Sequence, residues 1–107
     1  MTTINFEDFK KIEIKIGTIL NAVRVEGSDK LLNLEVDFNS EKRHIIAGIG
    51  KAYEPEHIIG KECPFVFNLE PRQLMGLESQ GMILCADDNG PVLLHPDRNI
   101  PSGSIVK

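Results

Sequence analysis

The 107-residue chain contains no tryptophan, one tyrosine and five phenylalanines, so aromatic residues make up only 6% of it. A barrel that grips single-stranded nucleic acid displays rings on which successive bases stack. With three of its five phenylalanines (Phe38, Phe65, Phe67) in strand-like apolar stretches, this chain lacks such a platform. It has two cysteines, Cys63 and Cys85, without CxxC spacing, which argues for buried thiols over a disulfide framework or redox pair. His44, His57 and His95 are far apart and form no metal-ligand spacing, so no zinc site is predicted. No apolar run reaches the roughly 20 residues of a membrane helix, and the first residues lack the plan of a signal peptide. The expectation is a cytoplasmic protein without membrane association, and the start at Met1-Thr-Thr favours a separate chain. There is no block of like charge, and a formal net charge of −4 argues against a protein that simply coats nucleic acid.

What is present is alternation. Ile12-Glu-Ile-Lys-Ile16 has the two-residue period of a half-buried strand, and Gly17 predicts a bend before the strand continues through Thr18 to Val23. Leu32, Leu34, Val36 and Phe38 alternate with polar residues, and Asn39-Ser40 predicts a hairpin turn into Arg43–Ala47. Pro55 early and Gly60 late mark a short helix in 53–60. Pro64 to Leu69 and Met82 to Ala86 follow as strands, Asp87-Asp-Asn-Gly90 as a turn, and Ser104-Ile-Val as a last short strand. Ile4, Phe6 and Phe9 are expected to pack on one edge of the sheet as a short helical segment.

Short strands with one helix between the third and fourth are the order of an OB-fold, an all-β Greek-key barrel, here with N- and C-terminal extensions. In that fold ligands lie across strands two and three, between the loop joining strands one and two and the loop joining strands four and five. The first of these is Arg24-Val-Glu-Gly-Ser-Asp-Lys30; the second lies within NLEPRQLMGLESQGMIL, residues 68–84. Connections in compact domains usually run to about 4–6 residues, so this longer polar insert is expected to carry function. Lys15, Arg24, Lys30, Lys42, Arg43, Lys51, Lys61 and Arg72 are predicted to gather around the face these loops border. Without stacking rings, such a face suits folded RNA read by shape, phosphates and ribose hydroxyls. Ser79 lies in no G-x-S-x-G elbow and Gly48-Ile-Gly50 in no dinucleotide fingerprint, so neither catalytic residues nor a cofactor are predicted.

The stretches KIEIKIGTILNAVRVEGSDKLLNLEVDFNSEKRHIIAGIGKAY and IIGKECPFVFNLEPRQLMGLESQGMILCA, with a looser tail PVLLHPDRNIPSGSIVK, resemble the tRNA-binding domain family. That family includes the C-terminal domain or separate β subunit of methionyl-tRNA synthetases, free-standing tRNA-binding proteins and the module of endothelial monocyte-activating polypeptide. The resemblance spans nearly the whole chain and is carried most specifically by GSDKLLNLEVD together with NLEPRQLMGLESQGM. It implies one domain over residues 1–107, a homodimer that binds the folded outer corner of tRNA with little sequence preference, and a possible partner in a methionyl-tRNA synthetase catalytic subunit. By position, Lys30, Arg43, Asn68, Arg72, Ser79 and Met82 match places where the family pattern puts tRNA contacts. Lys51 joins the expected cationic set, and Gln80 the expected hydrogen-bonding set with Asn68 and Ser79. Met82 is expected either to pack in the barrel core or to give an apolar contact. Gly76 and Glu78 depart from the pattern, since relatives often carry a basic residue nearby. Small bacterial export chaperones resemble the same fold, dimerise similarly and have tails close to PVLLHPDRNIPSG; a peptide-binding chaperone dimer is the ranked alternative, followed by a purely structural dimerisation appendage.

Overall fold

A computed structural model describes residues 2–107. Helix α1 (Phe6–Phe9) precedes strands β1 (Ile14–Arg24), β2 (Leu32–Asp37) and β3 (Lys42–Ala47). A 3-10 turn (Pro55–His57) leads to β4 (Glu62–Val66), followed by β5 (Arg72–Leu74), β6 (Leu77–Ser79), β7 (Met82–Ile83), β8 (Cys85–Asp87), β9 (Pro91–Leu93) and β10 (Ile105–Val106). The main sheet runs β3-β2-β1-β4-β7 and β10 adds to β1. All its pairings are antiparallel. This is the nearly closed, all-β barrel of an OB-fold.

One long strand serves two neighbours because it changes direction. The first half of β1 pairs with β4 and the second half with β2, with a register irregularity between Ile19 and Asn21. That irregularity falls at Leu20, three residues past Gly17, which keeps its regular pairing with Cys63. Gly17 has a different reason: a Cβ there would overlap Val36 Cγ1 and stand 2.8 Å from Phe38 Cε1. The β2–β3 hairpin follows the predicted alternation, with Leu32, Leu34, Val36 and Phe38 buried and Asn39 at a φ of 73° in the turn. Inside the barrel these residues meet Ile19, Ile45, Phe65 and Cys63, with Phe38 edge-on to both Phe65 and Phe67. The expected helix is only one 3-10 turn, enough to bring Ile58 into the core with no exposed surface.

Three expectations are corrected. The long polar insert is a hairpin of its own, β5 against β6, whose two-residue turn Met75-Gly76 has φ values of 51° and 80°. Positive φ at both central residues matches the twist of paired strands, which is what such a turn requires. The strand expected over Met82–Ala86 breaks at Leu84, whose N–H is donated to Pro64 O (3.0 Å); β7 stays on the barrel and β8 leaves to pair with β9. Near the N-terminus the helix forms but does not pack into the core: Phe6 is 70% exposed and Ile4, Phe9 and Ile12 are exposed as well. Phe6, Phe9 and Ile12 line an open apolar groove with Ile14, Ile105 and Val106.

Candidate nucleic-acid interface

The hairpin β5–β6 brings the two predicted rims together. Its tip reaches the β1–β2 loop, where Met75 Cε lies 3.4 Å from the position a Cβ on Gly27 would take. Its base is fastened to β3. Ser79, with 3% exposure, accepts the Ile46 N–H at Oγ (3.0 Å) and donates its own hydroxyl hydrogen to Gly81 O (3.0 Å). One step on, Gln80 donates its N–H to His44 O (2.9 Å) and accepts the His44 N–H at Oε1 (3.0 Å). These bonds close the barrel between β3 and β7, so the polarity of Ser79-Gln80 completes a ladder that the short β7 leaves open.

The cationic set divides. Arg24 donates to Asp29 O and Gly50 O and pairs with Glu54 at 3.2 Å, tying the β1–β2 loop to the segment after β3. Lys51 stands 3.9 Å from Asp29 on the same loop. Lys30 and Arg72 are exposed and make no ion pair among the described residues. Lys30 lies along Gly48, and Arg72 sits opposite Ser79 in the hairpin. Arg43 is partly buried near the other end of the barrel, in register with Val36. It grips Glu41 through Nε (3.0 Å) and donates from Nη1 to the carbonyls of Phe67 and Gln80. The hydrogen bond from Arg43 to Glu41 holds that carboxyl below the usual carboxylate range. Lys42 and Lys15 lie toward this end too, paired in register with Asp37 and Phe65. Lys61 precedes β4 and bonds through its backbone to Ile58 and Ile19, outside both loops.

Arg43, Asn68 and Gln80 line one polar depression together with Glu41, Phe67 and the 69–71 segment. The Asn68 amide is engaged, accepting the Glu13 N–H (2.8 Å) and donating to Lys11 O (2.6 Å). Gln80 also borders a second depression, formed with Asn33, His44, Leu77 and Glu78. Sequence reasoning missed these four as a group, weighing His44 only as a metal ligand; the available signal was that residues 78 and 80 share a face, as alternate strand positions do. Met82 is 42% exposed at the edge of β7, so of its two expected roles the core one is excluded.

Chemistry at the thiols is unfavourable. Cys63 is fully buried and its thiol is pushed up to about 12, first by burial. His95, with Nδ1 3.8 Å from that sulfur, donates the Nδ1 proton to Glu62 O at 2.7 Å and so has no lone pair there to act as base. Cys85 is also free and its thiol is raised by burial. Among the described residues no three His, Cys, Asp or Glu side chains gather as metal ligands, and no helix is long and apolar enough to cross a membrane.

Residues 14–105 match the family described as "Putative tRNA binding domain". The chain is 52% identical over 105 residues to methionine–tRNA ligase of Methanothrix thermoacetophila and 50% identical over 104 residues to that of Caldanaerobacter subterraneus subsp. tengcongensis. Those matches cover 97% and 96% of the chain but 16% of each relative, so the chain spans about one sixth of the length of these ligases. Among solved structures, a MetRS-related protein from Pyrococcus horikoshii superposes with a TM-score of 0.93 at 36% identity, covering 100% of both chains. The chaperone CsaA from Bacillus anthracis gives 0.90 at 30% identity, covering 99% of this chain and 100% of its own. The barrel, its clasped hairpin and these matches agree: the chain belongs to the tRNA-binding domain family.

Proposed function

We propose that the domain binds tRNA chiefly through phosphates and folded shape, as a β subunit or C-terminal-domain-like appendage of methionyl-tRNA synthetase. The observation that supports this reading is the meeting of the β1–β2 loop with the tip of the β5–β6 hairpin, with Lys30 on that loop and Arg72 at the base of that hairpin, both exposed and without ion-pair partners among the described residues. Arg presents a planar fork to phosphate oxygens and Lys a mobile point charge. Two free cations on a chain of net charge −4 make a modest site. A modest site is useful on a synthetase, because tethering raises the effective concentration of tRNA near the catalytic part.

The domain acts as a homodimer in this reading. Support comes from the apolar groove of about 410 Å³ lined by Phe6, Phe9, Ile12, Ile105 and Val106. Contiguous exposed apolar surface of this kind marks association sites. A second copy also doubles the number of tRNA contacts. Phe6→Asp together with Ile105→Asp is expected to yield a monomer by analytical ultracentrifugation; a dimer unaffected by both changes removes this face from the assembly.

A peptide-binding chaperone dimer is the second reading, favoured by the likeness to the chaperone CsaA. Salt separates the two. Affinity for mixed tRNA is expected to fall steeply between about 50 and 200 mM salt, because each neutralised phosphate releases counterions. An unfolded-peptide ligand held in apolar pockets has no such slope, and finding tight peptide binding with salt-independent or absent tRNA binding defeats the tRNA reading.

A further inference from the structure

We propose that the depression bounded by Asn33, His44, Leu77, Glu78 and Gln80 holds one unstacked guanine of the bound RNA and selects it by its Watson–Crick edge. The proposal deepens the tRNA-binding reading, on which it rests, by adding one base-reading point to a site that otherwise follows shape and charge. It starts from Glu78, an exposed carboxylate beside the proposed phosphate-binding rim that makes no ion pair among the described residues. Facing a phosphate, this group repels; facing a base edge rich in N–H donors, it binds.

The neighbouring groups say which edge. Glu78 and Gln80 flank the inward-pointing Ser79, so both side chains leave the same face, and both line the depression. The Gln80 Oε1 is occupied by the His44 N–H, which leaves the Gln80 amide nitrogen as a donor. The wall therefore offers one donor followed by two acceptor oxygens. Guanine presents the complement in a row: the O6 acceptor, the N1–H donor and the N2 amino donor. Adenine and cytosine can satisfy the donor and one acceptor with a ring nitrogen and an amino group but leave the second carboxylate oxygen without a donor, and uracil sets one of its two carbonyls against that oxygen, so guanine alone satisfies all three positions.

The faces of the base are provided for too. Leu77 contributes apolar surface, and the His44 ring is held by its Nδ1 hydrogen bond to Asn33 Oδ1 at 3.3 Å. Imidazole and aliphatic side chains are surfaces on which splayed bases pack. The depression, about 360 Å³ and open to solvent, admits a single base without a rearrangement of the barrel.

The test is a pair of titrations. Backbone amide shifts are followed in the wild-type domain and in Glu78→Gln with 5′-GMP, 5′-IMP, 5′-AMP and 5′-CMP. In parallel, tRNA transcripts carrying guanosine or inosine at loop positions are titrated by fluorescence anisotropy. Inosine keeps N1–H and lacks only the N2 amino group. GMP is expected to move the His44, Leu77, Glu78 and Gln80 amides and to bind about tenfold more tightly than IMP, the range of one good base-edge contact. One loop guanosine is expected to show the same loss in tRNA, and Glu78→Gln to erase it while leaving the salt slope unchanged. Equal response to all four nucleotides, silent amides at these residues, or occupancy by an arginine-containing tripeptide and not by GMP overturns the proposal. GMP selectivity that persists without salt-dependent tRNA binding sinks the tRNA reading alone.

Discussion

The guanidinium carbon of Arg43 lies 3.5 Å from the centroid of the Phe67 ring, and Lys15 Nζ stands 4.0 Å from the same centroid. Phe67 in turn packs edge-on against Phe38 in the core. The end of the barrel is thus sealed by an aromatic ring holding two cations, with Glu41 neutralising one of them. Cation–π contacts are worth about 0.5–2 kcal/mol, more where water is excluded. The flat guanidinium stacks while its edge still reaches the Phe67 and Gln80 carbonyls.

Arg43→Ala is therefore expected to destabilise the domain by about 2–3 kcal/mol, since it removes hydrogen bonds from a charged donor as well as the stacking. Arg43→Lys retains the charge but not the fork, and is expected to recover less than half of that loss. Urea denaturation of the two variants measures it. Stability equal to wild type in Arg43→Ala would assign the residue to the surface and return it to the list of free cations.

Much of the fold was legible because burial imposes period two: Leu32, Leu34 and Val36 could be read as one face of a strand before any neighbour was known. The β5–β6 hairpin was not, because three-residue strands are too short to show a period and Met75-Gly76 is not the Asn-Gly pair that announces such turns. The candidate site was legible as two loops that the fold brings together, but not in the pairing of its charges. Whether a cation is free depends on which carboxylate the fold brings to it, and Glu41 beside Arg43 or Glu54 beside Arg24 is a matter of geometry that charge counting does not reach. Ser79 shows the same limit: matched by position to the family's tRNA contacts, its hydroxyl is buried and accepts the Ile46 N–H.

Ser79→Ala leaves that Ile46 N–H without its partner at a buried seam. A buried donor without an acceptor costs about 1–3 kcal/mol, so a fall of that size in unfolding free energy is expected. Hydrogen exchange should quicken at Ile46 and Gln80 before it does in β1, since the seam opens first. Uniform exchange across the barrel would argue against the clasp.

Gly17→Ala places a methyl group against Val36 and Phe38, where a Cβ has no room. Overpacking of this kind costs about 1–3 kcal/mol. The drop in melting temperature should be partly reversed by Val36→Ala in the same chain, because the second change removes the atom that Gly17 cannot avoid. Failure of that rescue would move the strain to the Phe38 ring.

Lys30→Ala with Arg72→Ala removes the two exposed cations nearest the hairpin without breaking an ion pair. Neither side chain holds the fold, so the melting temperature is expected to stay within about 1–2 °C of wild type. The slope of log affinity for tRNA against log salt should fall by about one per removed phosphate contact. Weakened binding with an unchanged slope would mean that these residues act otherwise than on phosphates.

Alkali tests the packing at Cys63. Its folded thiol titrates at about 12, against an ordinary thiol value of 9.0, because burial penalises the thiolate. Raising an acid's folded value above its unfolded one favours the protonated native state. Above the unfolded value the denatured chain gives up that proton while the native chain still holds it. Stability is therefore complete below about pH 9 and declines between about pH 9 and 12. Cys63→Ala, which cannot ionise, is expected to show a shallower decline over that window despite a lower stability at neutral pH. Alkylation by iodoacetamide at pH 8 should label Cys85 well ahead of Cys63, since thiolate and access are both needed for reaction. Equal labelling rates, or identical alkaline profiles for the two proteins, would show that Cys63 is reached by water in the native state and that the barrel interior is looser than its packing indicates.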